Sequence, residues 1–130
     1  HRHLNEMRAF VGELGSDAEL CFTPHLLPVA RGILSTLTIP LTAPLDDVLA
    51  PFRDHYAGEP FIEVVPELPE LRQVQHRNVV RLTARAMANT RTPMLQVFSA
   101  IDNLVKGAAG QAVQNANLML GLPETMGLPA

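Results

Sequence analysis

The sequence predicts an α+β fold, a mostly antiparallel or mixed sheet with helices on one face and a long helix at the C-terminal end. Two patterns and one turn predict it. Residues 29–41, 78–87 and 94–100 alternate apolar and polar side chains with period two, and 61–65 is a short β-rich run. Residues 4–14 and 101–121 instead repeat apolar side chains every three or four positions. Asn89-Thr90-Arg91-Thr92-Pro93 then joins two of the alternating runs as an antiparallel pair.

Composition narrows the function. With 130 residues, 47% of them hydrophobic, the chain is long enough to bury a core. A formal charge of −3 gives no electrostatic case for nucleic acid or an anionic membrane. No apolar run has spanning length, and no signal-peptide pattern is present. One cysteine excludes an internal disulfide framework and is compatible with the cytosol.

The elements follow in order. Leu4, Met7, Phe10, Val11 and Leu14 share one side of a short helix that Gly15 stops. His1 and His3 lie before and at its entrance; without a third ligand at a telling spacing they read as an ordinary exposed pair rather than a metal site. Glu6 lies one turn beyond His3 and can orient its imidazole. Leu20 to Pro28 is apolar but cut by Pro24 and Pro28, so it reads as an extended, shaped loop. Cys21, between Leu20 and Phe22 with no cation nearby in sequence, reads as a buried, inert thiol. Arg31 reads equally as a bidentate grip on an anion or as a sheet-edge residue.

Val29 to Leu41 predicts a one-sided strand with Ile33, Leu37, Ile39 and Leu41 on the covered face. Pro44 opens a helix turning Leu45, Val48, Leu49, Phe52 and Tyr56 inward, with Pro51 kinking or shortening it. Pro66 to Glu70 is a solvated loop, and His76, Arg77 and Asn78 stand at the mouth of the next strand.

The run from Ile101 to Gly121 predicts one helix, with Asp102 as N-cap and Gly121 as stop. Leu104, Val105, Ala108, Ala109, Ala112, Val113, Ala116, Met119 and Leu120 cover its apolar half. The polar half carries amides and glycines in place of the usual charges, although each helical glycine costs about 1 kcal/mol relative to alanine. Asn103, Gly107, Gly110 and Gln114 line up along it, with Lys106 in the first turn. Packing of helices through small residues and a surface laid against a flat polar ligand both fit that stripe; a lipid-facing dimer motif does not, because of Lys106 and the Gln and Asn side chains.

The run Asp102-Asn103-Leu104-Val105-Lys106-Gly107-Ala108-Ala109-Gly110-Gln111-Ala112-Val113-Gln114-Asn115 closely resembles the C-terminal signature of N-acetyl-γ-glutamyl-phosphate reductases. His1-Arg2-His3-Leu4-Asn5-Glu6 resembles the family's His-Arg-His-x-Pro-Glu motif, with Asn5 in place of proline, and Phe22-Thr23-Pro24-His25-Leu26-Leu27-Pro28 through Arg31-Gly32 resembles its second active-site loop. The three blocks stand in the family's order, and the resemblance extends over essentially the whole chain. It implies a semialdehyde-dehydrogenase-like catalytic and dimerisation domain over residues 1–100. Residues 101–130 would then form a helix and tail packing on a Rossmann nucleotide domain whose motifs are not in this sequence.

The activity implied is NADPH-dependent reduction of an acyl phosphate to an aldehyde through a thioacyl-enzyme, in arginine biosynthesis. The implied site comprises His3 or His1 as acid–base group, supported by Glu6, and His25 and Arg31 as substrate contacts. Asn103, Lys106, Gly107, Gly110 and Gln114 would meet NADP. No metal is implied. A cytoplasmic homodimer or homotetramer is implied, and the chain reads as the C-terminal portion of a longer protein. The family's Asn-Pro-Gly-Cys motif and glycine-rich dinucleotide loop are absent from these 130 residues, so the chain alone is expected to be inactive. Two alternatives share the pattern: a lysine-pathway homologue acting on an aminoadipyl phosphate, and a non-catalytic dimerisation module.

Overall fold

The computed structural model describes residues 3–130. Along them run α1 (His3–Glu13), β1 (Ile33–Pro40), α2 (Ala50–His55), β2 (Ile62–Val64), β3 (Val80–Ala86), β4 (Met94–Ile101) and α3 (Gly110–Met119). A 3-10 turn at Leu71–Gln73 precedes β3, and a π-helical turn at Val105–Ala109 leads into α3. The strands form one mixed sheet in the order β1-β4-β3-β2, antiparallel except for the β2–β3 pair. The expected α+β class is the class observed.

Alternation along the strands gives the sheet two apolar faces. On one, Ala84, Leu95 and Val97 pack with Leu49, and Val48 and Phe52 close over them from α2 and its approach. On the other, Ala100 and Val79 pack with Phe61 and Val74, flanked by Leu71 and by Leu128 of the C-terminal tail. Register decides where function can gather. Ile101 at the end of β4 faces both Ile33 at the start of β1 and Val80 at the start of β3, and Val80 in turn faces Ile62. Residues just before β1, β2 and β3 and just after β4 therefore meet at one end of the sheet.

Four expectations need correction. The second helix begins at Ala50 rather than Pro44, with Pro51 in its first turn, where a missing N–H costs nothing. Asp47 Oδ1 accepts from the Leu49 amide at 2.9 Å and holds the preceding residues in a turn. β1 is not covered on one face, for Ile33, Leu34, Leu37 and Ile39 are all exposed. It is an edge strand of the sheet, and among the described residues it pairs with β4 alone.

The final helix is turned the other way from the expectation. Its buried residues are Gly110, Gln114 and Asn117, whereas Val113, Leu118, Met119 and Leu120 are exposed. The polar stripe packs inward because its amides find partners there. Gln114 donates to Glu124 Oε1 at 2.6 Å, and Asn117 donates to the carbonyls of Glu124 and Met126, folding the tail back across the helix. The run is also not one regular helix: Gly107, Ala109 and Gly110 donate to Asp102, Leu104 and Val105, each five residues back.

Candidate functional site

The site is built at the sheet end that the register defines. Asp102 leaves β4 fully buried and caps the following turn, Oδ1 accepting from the amides of Leu104 at 2.8 Å and Val105 at 3.1 Å. The N-cap expectation is met, but the carboxylate does more. Arg31 Nη2 lies 3.0 Å from Oδ1 and 2.9 Å from Oδ2, and the His76 amide donates to Oδ2 at 2.6 Å. Burial pushes this carboxyl up, but the bonds from His76, Leu104, Arg31 and Val105 outweigh it and hold its pKa down at about 2. Asp102 is thus an anion in the folded protein.

Around that carboxylate the chain is cross-linked twice more. The Gly32 amide donates to Asn103 Oδ1 at 2.6 Å, and Gln75 Nε2 donates to the Arg31 carbonyl at 3.2 Å. His76, whose amide donates to Asp102, adopts φ of 66°, a left-handed conformation few side chains take. Its ring Nδ1 lies 3.0 Å from Arg31 Nη1 and, since arginine can only donate, is the acceptor of that bond. Arg31 is therefore neither a free grip nor a plain edge residue. Both ends of its fork are held, and its side chain keeps 21% exposure.

A second polar group adjoins the first. Gln114 Oε1 accepts from Lys106 Nζ at 2.6 Å and from Asn78 Nδ2 at 3.1 Å, and Lys106 lies 5.4 Å above the Phe61 ring. Burial lowers the Lys106 pKa, against the opposing pull of Glu124 and Glu59. Asn78 is fully buried, which agrees with the structural role read for it.

The residues expected to meet a cofactor thus divide. Gly110 and Gln114 are buried against Asn78, Val105 and Glu124 and present no open stripe. The small-residue packing alternative accounts for them. Asn103 and Lys106 are half-buried at the rim and Gly107 is exposed.

The remaining expected site residues lie elsewhere. His3 and Glu6 are exposed in the first turns of α1, and His1 lies outside the described residues. His3 stands one turn before Met7, which lines a cleft of 560 Å³ between α1, residues 19–22 and β1. His25 is exposed on the loop before β1. Cys21 lines the same cleft as Met7 and is exposed rather than buried, because residues 19–22 run beside the open face of the edge strand. Among the described residues no group of three or more His, Cys, Asp or Glu side chains is placed to hold a metal, and no helix is long and apolar enough to cross a membrane. The roles of Asp102 beyond its cap and of His76 were not read from the sequence, since their partners are 71 and 26 positions away.

Comparison with known proteins adds the family. The model of the semialdehyde dehydrogenase dimerisation domain matches residues 1–103. The chain belongs to this family. It is also 48% identical over 133 aligned positions to the N-acetyl-gamma-glutamyl-phosphate reductase of Leptospira interrogans, covering 98% of this chain and 38% of that protein. The reductase so named from Pelotomaculum thermopropionicum is 47% identical with the same coverage. That of Thermus thermophilus is 43% identical over 143 positions, with 99% and 41% covered. The chain is homologous to the C-terminal part of these enzymes and spans about two fifths of their length. β1 leaves Ile33, Leu34, Leu37 and Ile39 exposed in this domain.

Proposed function

We propose that this chain is the catalytic and dimerisation portion of an NADP-dependent N-acetyl-γ-glutamyl-phosphate reductase that works as a homodimer or homotetramer. The observation that carries the reading is the juxtaposition of Arg31-Gly32 with Asp102-Asn103, the ends of two motif blocks that are 71 positions apart. When bound, NADPH supplies the hydride that reduces the acyl group. In this reading residues 101–130 face a nucleotide domain with the exposed apolar side of α3, and Asn103, Lys106 and Gly107 contribute edge contacts to the cofactor.

The remaining roles belong to side chains that can exchange protons or hold charge. His3, with Glu6 one turn along α1 to orient it, takes the proton of a cysteine thiol outside these residues as the sulfur attacks the acyl phosphate and phosphate leaves. It returns a proton to that sulfur when the hydride-reduced thioester collapses to the aldehyde. His25 and Arg31 attract the anionic substrate by charge, Arg31 from a guanidinium already held in place by Asp102 and His76. The test is His3→Asn in the protein that carries this chain. General acid–base groups typically contribute about 10²–10⁴-fold, so turnover is expected to fall by at least 10²-fold with NADPH affinity changed less than threefold. Unchanged turnover moves the acid–base role away from His3.

A further inference from the structure

Capping does not account for what Asp102 binds. A cap needs one oxygen facing the Leu104 and Val105 amides, and serine or asparagine provides that as well. Here the second oxygen is spent on the His76 amide, and both oxygens meet Arg31 Nη2. A carboxylate wholly out of water must be paired and hydrogen-bonded, and here the partners beyond the cap come from two other segments of the chain.

We propose that Asp102 is a positioning residue for the reaction, fixing the Arg31 guanidinium on the substrate side and the Asn103–Gly107 turn on the cofactor side as one unit. The inference rests on the reductase reading above. Its geometry is a three-way junction. Residues 31–32 enter β1, 75–76 approach β3, and 102–105 leave β4; Asp102 binds all three, and the Gly32–Asn103 and Gln75–Arg31 bonds lock neighbouring pairs. Arg31 Nη1 rests on His76 Nδ1, so the guanidinium plane is set by Asp102 and by His76, whose amide Asp102 also holds. A shift of Asp102 therefore moves the anion-binding group and the first turn of the cofactor segment together.

The test uses Asp102→Asn, which keeps an acceptor for the Leu104 and Val105 amides and removes the charge, with Arg31→Lys and the double variant, all in the protein that carries this chain. Asp102→Asn is expected to raise the KM for the acyl phosphate about tenfold and that for NADPH about threefold, with kcat within threefold of the parent. Arg31→Lys is expected to raise only the first KM. In the Arg31→Lys background the effect of Asp102→Asn on that KM should shrink below twofold, because the residue acts through Arg31. Loss of thermal stability with both KM values unchanged, or fully additive effects, overturns the proposal. A parent without reductase activity overturns the functional reading instead. In that case hydrogen exchange decides: in Asp102→Asn the Gly32 amide, which Asp102 does not touch, should lose protection together with His76, Leu104 and Val105. Retained protection at Gly32 refutes the single unit.

Discussion

Gly110→Ala tests the inward orientation of the final helix. At an ordinary helical position the exchange stabilises by about 1 kcal/mol, because alanine loses less backbone freedom on folding. At Gly110 a Cβ would overlap Asn78 Oδ1 and stand 2.8 Å from both the carbonyl oxygen and Cγ1 of Val105. Neither neighbour can yield easily. The Val105 carbonyl is backbone and accepts from the Gly110 amide, and Asn78 is fully buried and donates to Gln114. Overpacking of this kind costs about 1–3 kcal/mol, and losing the Asn78–Gln114 bond adds about 1 kcal/mol. Set against the propensity gain, the net destabilisation is about 2 kcal/mol, or roughly 6–10 °C in thermal midpoint for a chain of this size. Gly107→Ala is the control, since its Cβ would meet Ile101 Cδ1 and the Asp102 carbonyl at 3.4 and 3.6 Å, ordinary contact distances. Thermal melts followed by circular dichroism should place the Gly107 variant at or above the parent and the Gly110 variant well below it. A Gly110 variant as stable as the parent would refute the inward packing and restore an open stripe.

Asp102, with its pKa held at about 2 in the folded protein, contributes stability that is complete above the ordinary carboxylate value near 3.8 and is lost as pH falls from about 4 towards 2. The contribution is about 2 kcal/mol, and urea midpoints measured across that window should fall less steeply in Asp102→Asn than in the parent; identical slopes would contradict the assignment. Cys21 is exposed, so a thiol reagent should modify it within minutes in the native protein, and modification seen only in denaturant would return it to the interior. The 130 residues alone should show no phosphate-dependent reduction of NADP by the semialdehyde, and activity that disappears in Cys21→Ser would make that cysteine a nucleophile.

The strands were legible because alternation and turn chemistry are local. The Asn89 to Pro93 turn, with Asn89 at φ of 63°, joins β3 to β4 as its composition indicated. The start of α2 was misplaced because two prolines seven residues apart can each begin a helix, and only the turn held by Asp47 selects the second. The site was half legible. A cap on Asp102 is a three-residue pattern, but the Arg31 and His76 partners depend on strand register, which no local window contains.

The final helix carries the larger lesson. Periodicity separated its two faces correctly but could not say which one turns inward. Hydrophobic burial alone would choose the face with Val113, Met119 and Leu120, at about 25 cal/mol for each Å² covered. That choice requires an apolar surface opposite, and at this sheet end the helix meets Asn78 and the tail residues Glu124 and Met126 instead. Buried amides left without partners would cost about 1–3 kcal/mol each, so Gln114 and Asn117 hold their side of the helix against those groups. The apolar side then stays bare at a cost that only a second surface can recover. Under the proposed function that surface is the nucleotide domain, and the amide stripe keeps the helix oriented to receive it.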